Sequence, residues 1–234
     1  VIGRRATLAL ACAGTLLLAL AAAPQRQDSQ VVLREYVRAM ESLAMPTASI
    51  CKYSISQAGP VQIEQQHLLY RQGDLVRDSL LASQGIPVRA KSIVIAHRAD
   101  RYSIDRLAPT LHDYEILFLS AHKVGKSIQY RYQATALAPN SRFSITGFTI
   151  ASGRFLPSAI AFTSSGDGAV GHGAVLYHAV GRFWVPYEAY VTGRVNGKPA
   201  NERIVWSDCS FPRSLPETTF RVPQPLPSAT LPPI

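Results

Sequence analysis

Six histidines, three cysteines and one short Ser/Gly/Asp/His stretch have the widest chemical reach in this chain. His67, His97, His112, His122, His172 and His178 are scattered, and no two stand at the spacing that puts paired imidazoles on one helix face. His172 and His178 would share a strand face, but six residues of strand span roughly 20 Å, too far for one metal ion. They read as structural or surface side chains. The run from Ser164 through Asp167 to His172 and Gly173 lacks the Gly-x-Ser-x-Gly of a nucleophile elbow and the Gly-Lys-Ser/Thr of a phosphate loop. It reads as a flexible hairpin connection. The acidic pairs Asp100/Asp105 and Glu202/Asp208 are spacings that any exposed strand offers. No catalytic residue, metal ligand set or cofactor is expected, and the chain reads as non-enzymatic.

The cysteines bear on compartment. Arg4 and Arg5 precede an apolar run, Ala6 to Ala23, that ends in small residues before Pro24. Charge, then apolar stretch, then small residues is the layout of a cleaved secretion signal over residues 1–23; an uncleaved anchor is the alternative. Cleavage removes Cys12 and leaves Cys51 and Cys209. In an oxidising compartment such as the periplasm the two form a candidate disulfide; two separate buried thiols are the other reading. Neither has a Cys or His at metal-ligand spacing. The formal charge is +9, yet no stretch concentrates it, so it reads as a solvated surface.

Behind these residues stands a β-rich chain. Val31, Val32, Tyr36, Val37, Met40 and Leu43 fall mainly at helical intervals, with Ser29 placed to cap and Pro46 just beyond. Later segments alternate: Cys51–Ile55, Gln62–Arg71, Leu75–Ala82, Lys91–His97, Arg101–Leu107, Tyr114–Ala121, Ile128–Ala134, Phe143–Ile150, Ser158–Ser164, Gly173–Val180, Phe183–Arg194 and Glu202–Phe211. Gly147 suggests a bulge, and Asn196-Gly197 a two-residue hairpin turn. Tyr130 and Tyr132 share one strand face and Arg131 the other, which a half-buried strand needs anyway; nucleic acid is not an expected partner. The fold class is mostly β (α+β): one antiparallel sheet of about ten strands, too large to stay flat, curling around the helix or a ligand. The expected domain spans residues 24–211. The prolines from Pro212 onward predict an extended tail over 212–234.

The signal, leading helix and long meander together resemble the LolA/LolB-like superfamily of periplasmic lipoprotein carriers. The helix runs into a strand ending Ile55-Ser56-Gln57, and Arg71-Gln72-Gly73-Asp74-Leu75-Val76-Arg77 is similar to the family's next turn, with Gln72 where the carriers have Pro. Ile95–Leu107 sits where the family has its following strand pair, and Arg203–Asp208 resembles its last strand. The chain looks closer still to exported bacterial proteins sharing Arg-Val-Asn-Gly-Lys-Pro-Ala, here Arg194–Ala200. The resemblance implies an open half-barrel whose concave face the helix partly covers. It also implies a cavity for a lipid or lipoprotein acyl chain, a role in outer-membrane lipoprotein sorting and transient membrane contact. The implied lining is Tyr53, Ile55, Ile128, Tyr130, Tyr132, Phe148, Ile150, Phe162 and Trp184, and Arg71 and Arg77 match lid-holding positions. The alternatives are that the nine fill a closed core and that the arginines are a surface pair. The rival function is an envelope accessory protein that binds a protein partner through a sheet edge or the tail.

Overall fold

The computed structural model describes residues 27–95, 102–138, 142–166 and 168–221, with only the backbone described over 89–95. The expected signal, His97, Asp100, Asp167 and residues 222–234 lie outside them. One helix, α1 (Ser29–Glu41), precedes four strands: β1 (Ala48–Ala58), β2 (Ile63–Gln72), β3 (Leu75–Ser83) and β4 (Ile86–Ile95). A single helical turn, α2 (Ile104–Leu107), leads to β5 (Tyr114–Val124), β6 (Ser127–Ala136), β7 (Phe143–Ala151), β8 (Pro157–Gly166), β9 (Ala169–Val180), β10 (Phe183–Val195) and β11 (Lys198–Ser210). A 3-10 turn, Glu217–Phe220, follows.

All eleven strands form one antiparallel sheet in the order β4-β3-β2-β1-β11-β10-β9-β8-β7-β6-β5. Each hairpin pairs neighbours in sequence, and the one long-range pairing, β1 with β11, sets the first four strands beside the last seven. Asn196 and Gly197 take φ of 50° and 77°, the left-handed pair that a tight hairpin turn demands, where Val195 meets Lys198. The bulge suggested by Gly147 is present, as a register shift between Ile145 and Gly147. A Cβ there would stand 2.7 Å from the Tyr132 carbonyl oxygen, which explains the glycine.

One face of the sheet carries the core. On β6, Ile128, Tyr130, Tyr132 and Ala134 alternate with polar neighbours, and all four are buried. α1 lies on this inner face: Val32 and Tyr36 are buried, with Leu33, Val37 and Met40 packed against the cluster. Burying side chains of this size stabilises by about 1.5–3 kcal/mol each. The helix cap differs from expectation. Asp28, not Ser29, accepts the Gln30 N–H at 2.7 Å, because the helix begins one residue earlier.

One further expectation fails. The expected strand Arg101–Leu107 is not one over its described residues, 102–107: Ser103 precedes a helical turn that buries Ile104 and Leu107, three residues apart, against the core. Its Tyr102/Ile104 alternation misled; Asp105 in the first turn and Pro109 just beyond were the helix signals. The run Ser164–Gly173 is the expected hairpin connection, but its turn is shorter than the sequence suggested, with pairing from Ser164–Gly171 on to Gly166–Ala169. The tail also begins as packed chain. Leu215 is buried and its N–H donates to Gln72 Oε1, Arg77 Nη1 donates to the Thr219 carbonyl at 2.9 Å, and Thr47 Oγ1 to the Arg213 carbonyl at 3.0 Å.

Candidate functional site

The inner face gathers most of the aromatic side chains nominated from sequence. Ile128, Tyr130, Tyr132, Phe148, Ile150 and Phe162 are buried within the core cluster, and Tyr53, Ile55 and Trp184 pack against it. Rings connect them across strands. Tyr132 stacks on Phe148 with centroids 5.2 Å apart, Tyr36 of α1 meets Phe148 at 5.1 Å, and Tyr53 lies 6.4 Å from Trp206.

The cover over this face is not part of the sheet. It consists of α1 and the Tyr102–Pro109 segment, and phenol groups tether both. The Gln27 N–H donates to Tyr130 Oη at 2.8 Å, and Tyr132 Oη donates to the Ser29 carbonyl at 2.9 Å. Tyr36 Oη donates to the Pro109 carbonyl at 2.6 Å, and Tyr177 Oη to the Tyr102 carbonyl at 3.0 Å. Burial pushes the Tyr36 hydroxyl far above its ordinary range. Burial, then Tyr130 and Asp28, push Tyr132 up to about 12. Both phenols are therefore neutral donors at any physiological pH.

Beneath α1, Tyr36, Phe148 and Tyr132 pack ring against ring. A hollow of about 260 Å³ remains on the same side, where Tyr102 faces the ends of β7 to β11. Phe143, Phe162, Val191 and Tyr102 supply its apolar wall, and Gln57, Ser164 and Glu202 its polar rim. Of the nine nominated residues only Phe162 lines this hollow. Gly193 borders it, and a Cβ on Gly193 or on nearby Gly173 would stand 2.1 Å from a neighbouring strand's carbonyl oxygen, so strand pairing here requires glycine. The opposite face holds an open groove of about 810 Å³ floored by Ala159, Ala161 and Gly147, with Arg131, Gln133 and Thr135 along it.

Arg71 and Arg77 lie on opposite faces. Arg71 shares its side with Leu69 and His67 and borders a small crevice with Met45, Ser103 and Ile104, where the cover meets β1. Arg77 pairs with Tyr70, sits 5.8 Å from that ring's centroid and binds the C-terminal segment. Cys51 and Cys209 form a disulfide with Cα atoms 4.2 Å apart, joining β1 to β11.

One polar cluster escaped the sequence reading. Asp78 accepts a hydrogen bond from Tyr53 Oη and lies 3.0 Å from His67 Nδ1, while His67 stacks on Tyr53 at 4.6 Å. Its members come from β1, β2 and β3, and register alone makes them neighbours, so no local motif announces them. The carboxylate bridges the phenol hydroxyl and the imidazole through its two oxygens and ties three strands together. The other described histidines stay apart: His172 pairs with Thr163, His178 stacks on Tyr187 at 5.0 Å, His122 bonds Ser120 at 3.0 Å, and His112 is exposed. Asp208 faces Lys52 at 3.4 Å, away from Glu202 at the hollow. Among the described residues no group of three or more His, Cys, Asp or Glu side chains is placed to hold a metal ion.

These features define a covered antiparallel sheet with an apolar inner face and a small hollow. Its backbone is similar to that of several solved structures. A LolA superfamily protein from Nitrosomonas europaea matches with a TM-score of 0.47 and 13% identity, over 84% of this chain and 99% of the other. A domain from Vibrio parahaemolyticus, named as a candidate outer membrane lipoprotein-sorting protein, matches at 0.46 and 11% identity, over 81% and 94%. A DUF1329 family protein from Desulfovibrio piger matches at 0.43 and 12% identity, over 82% and 96%. No family model matches the sequence, and no curated protein resembles it in sequence.

Proposed function

We propose that this is an exported, non-enzymatic binding protein that holds an acyl chain of a lipid or lipoprotein against the inner face of its sheet, in the periplasm, as part of outer-membrane lipoprotein sorting. The observation that carries the reading is the hollow beside Phe143, Phe162 and Val191, continuous with an aromatic face whose cover is tethered by a few phenol hydrogen bonds. At about 260 Å³ it falls just short of the roughly 300–1,000 Å³ usual for small-molecule sites, so it takes the end of a chain. A longer chain enters as α1 and the 102–109 segment yield, with about 0.8 kcal/mol gained per methylene buried. On this reading residues 24–211 are the binding unit, the nine nominated side chains line the path of the chain, and Arg71 holds the cover at its β1 end. The sheet bends around its cover, helped by bulges in six of its ten strand pairs. The cross-strand disulfide supports an oxidising compartment.

Native mass spectrometry of the purified protein tests this. The expected result is co-purified lipid that leaves on delipidation and is replaced by a fluorescent acyl probe; a protein that carries no lipid and takes up no probe contradicts it. A second reading, capture of a protein partner through a sheet edge, is favoured by β5, an edge strand with Leu117 and Leu119 exposed. Partner binding that survives saturation with lipid and is lost when Leu117 and Leu119 become Lys would favour it.

A further inference from the structure

The strand order brings together charges that lie far apart in sequence. β5, β7 and β9 run in one direction, so the β5–β6, β7–β8 and β9–β10 turns gather at one end of the sheet. Successive tips are two strands apart, roughly 10 Å along the edge. Lys123 and Lys126, Arg154 and Arg182 stand on these three tips, all exposed, and residues 122–128, 151–157 and 179–184 contain no Asp or Glu. Arg213, also exposed, follows β11 at the same end. Two of the guanidinium groups are held over rings: Arg154 Cζ lies 5.8 Å from the Trp184 centroid and Arg182 Cζ 4.9 Å from that of Phe183. Carboxylates on this side are Asp74, in the β2–β3 turn on the far side of β1, Asp208, which faces Lys52, and the exposed Glu217, in the 3-10 turn that follows Arg213; none stands on the three tips themselves. Between Lys123 and Lys126 the aliphatic Val124 is 51% exposed.

We propose that this row of turn tips is a docking surface for an anionic lipid bilayer. The cations stand on separate tips along a line instead of converging, so they do not enclose one small anion, whereas a plane of phosphates meets all of them at once. Val124 sets an apolar group among them, as surfaces do that enter the headgroup layer. The hollow opens at the other end of the sheet, beside Gly171, Arg194 and Val195, so docking leaves its mouth uncovered. This surface is independent of whether the hollow takes an acyl chain.

Co-sedimentation with vesicles is the test, comparing phosphatidylglycerol/phosphatidylcholine mixtures with phosphatidylcholine alone at low salt. Residues 1–23, with Arg4 and Arg5, are common to parent and variants wherever they are retained, so the comparison between parent and variants isolates the substituted cations. The protein should prefer the anionic vesicles at least tenfold, with the preference fading as salt rises. The triple variant K126Q/R154Q/R182Q should lose about a hundredfold in affinity, at roughly fivefold per cation. Arg131→Gln, exposed on the opposite face from α1, should change it no more than about twofold. Unchanged binding by a folded triple variant, or no anionic preference in the parent, overturns the proposal. Capture by immobilised polyglutamate without vesicle binding overturns it too, and assigns the row to an acidic protein. Acyl-probe uptake, measured on the same variants, should be unaffected; its failure bears on the hollow alone.

Discussion

The Tyr36 hydroxyl crosses from the helix to the Pro109 carbonyl in a site without water contact, so its loss leaves an acceptor stranded. Tyr36→Phe should cost about 1–3 kcal/mol, read as a lower urea midpoint with unchanged slope. Tyr132 gives a pH signature. Its folded value, raised to about 12, lies above the unfolded 10, so the stability it supports is complete below pH 10 and is lost as pH climbs towards 12. Urea midpoints of Tyr132→Phe measured from pH 9 to 12 should fall less steeply than those of the parent. At this scale the sequence was informative where alternation is strict: Ile128, Tyr130 and Tyr132 were assignable to one buried face because β6 alternates without a break. Asp78 was not, since its partners Tyr53 and His67 sit on two other strands.

Among the elements, α1 and eleven of the twelve expected strands were readable, because 3.6-residue and two-residue periods survive wherever one side is buried. The turn at Ile104–Leu107 was not, because one helical turn and a short strand leave the same pattern when tertiary contacts choose between them. The disulfide was readable only as a pair of candidates; the β1–β11 register that brings Cys51 to Cys209 is a long-range fact. With a sequence separation of 158, reducing it should cost on the order of 4–5 kcal/mol by loop entropy. Thermal melts with and without dithiothreitol should show this, and the double Cys→Ala variant should match the reduced protein. Tyr132→Phe should also loosen α1 from the sheet, quickening probe uptake in stopped-flow measurements.

Across the whole molecule, the eleven strands place a tethered cover over one face, a hollow at one end and a row of cations at the other. The cations illustrate what a one-dimensional reading misses: Lys126, Arg154 and Arg182 are each about thirty residues from the next and look dispersed until the meander aligns their turns. The hollow is equally hidden, since Phe143, Phe162 and Val191 follow the same alternation as the packed core residues beside them. That hollow is where the account is most exposed to test. Val191→Trp should fill it from the β10 side while leaving the sheet folded, and equilibrium titration with a fluorescent fatty acid compares it with the parent. Saturable binding by the parent, weakened at least tenfold by the tryptophan, is the predicted result. Equal affinity in both proteins, or no saturable binding in the parent, would contradict it.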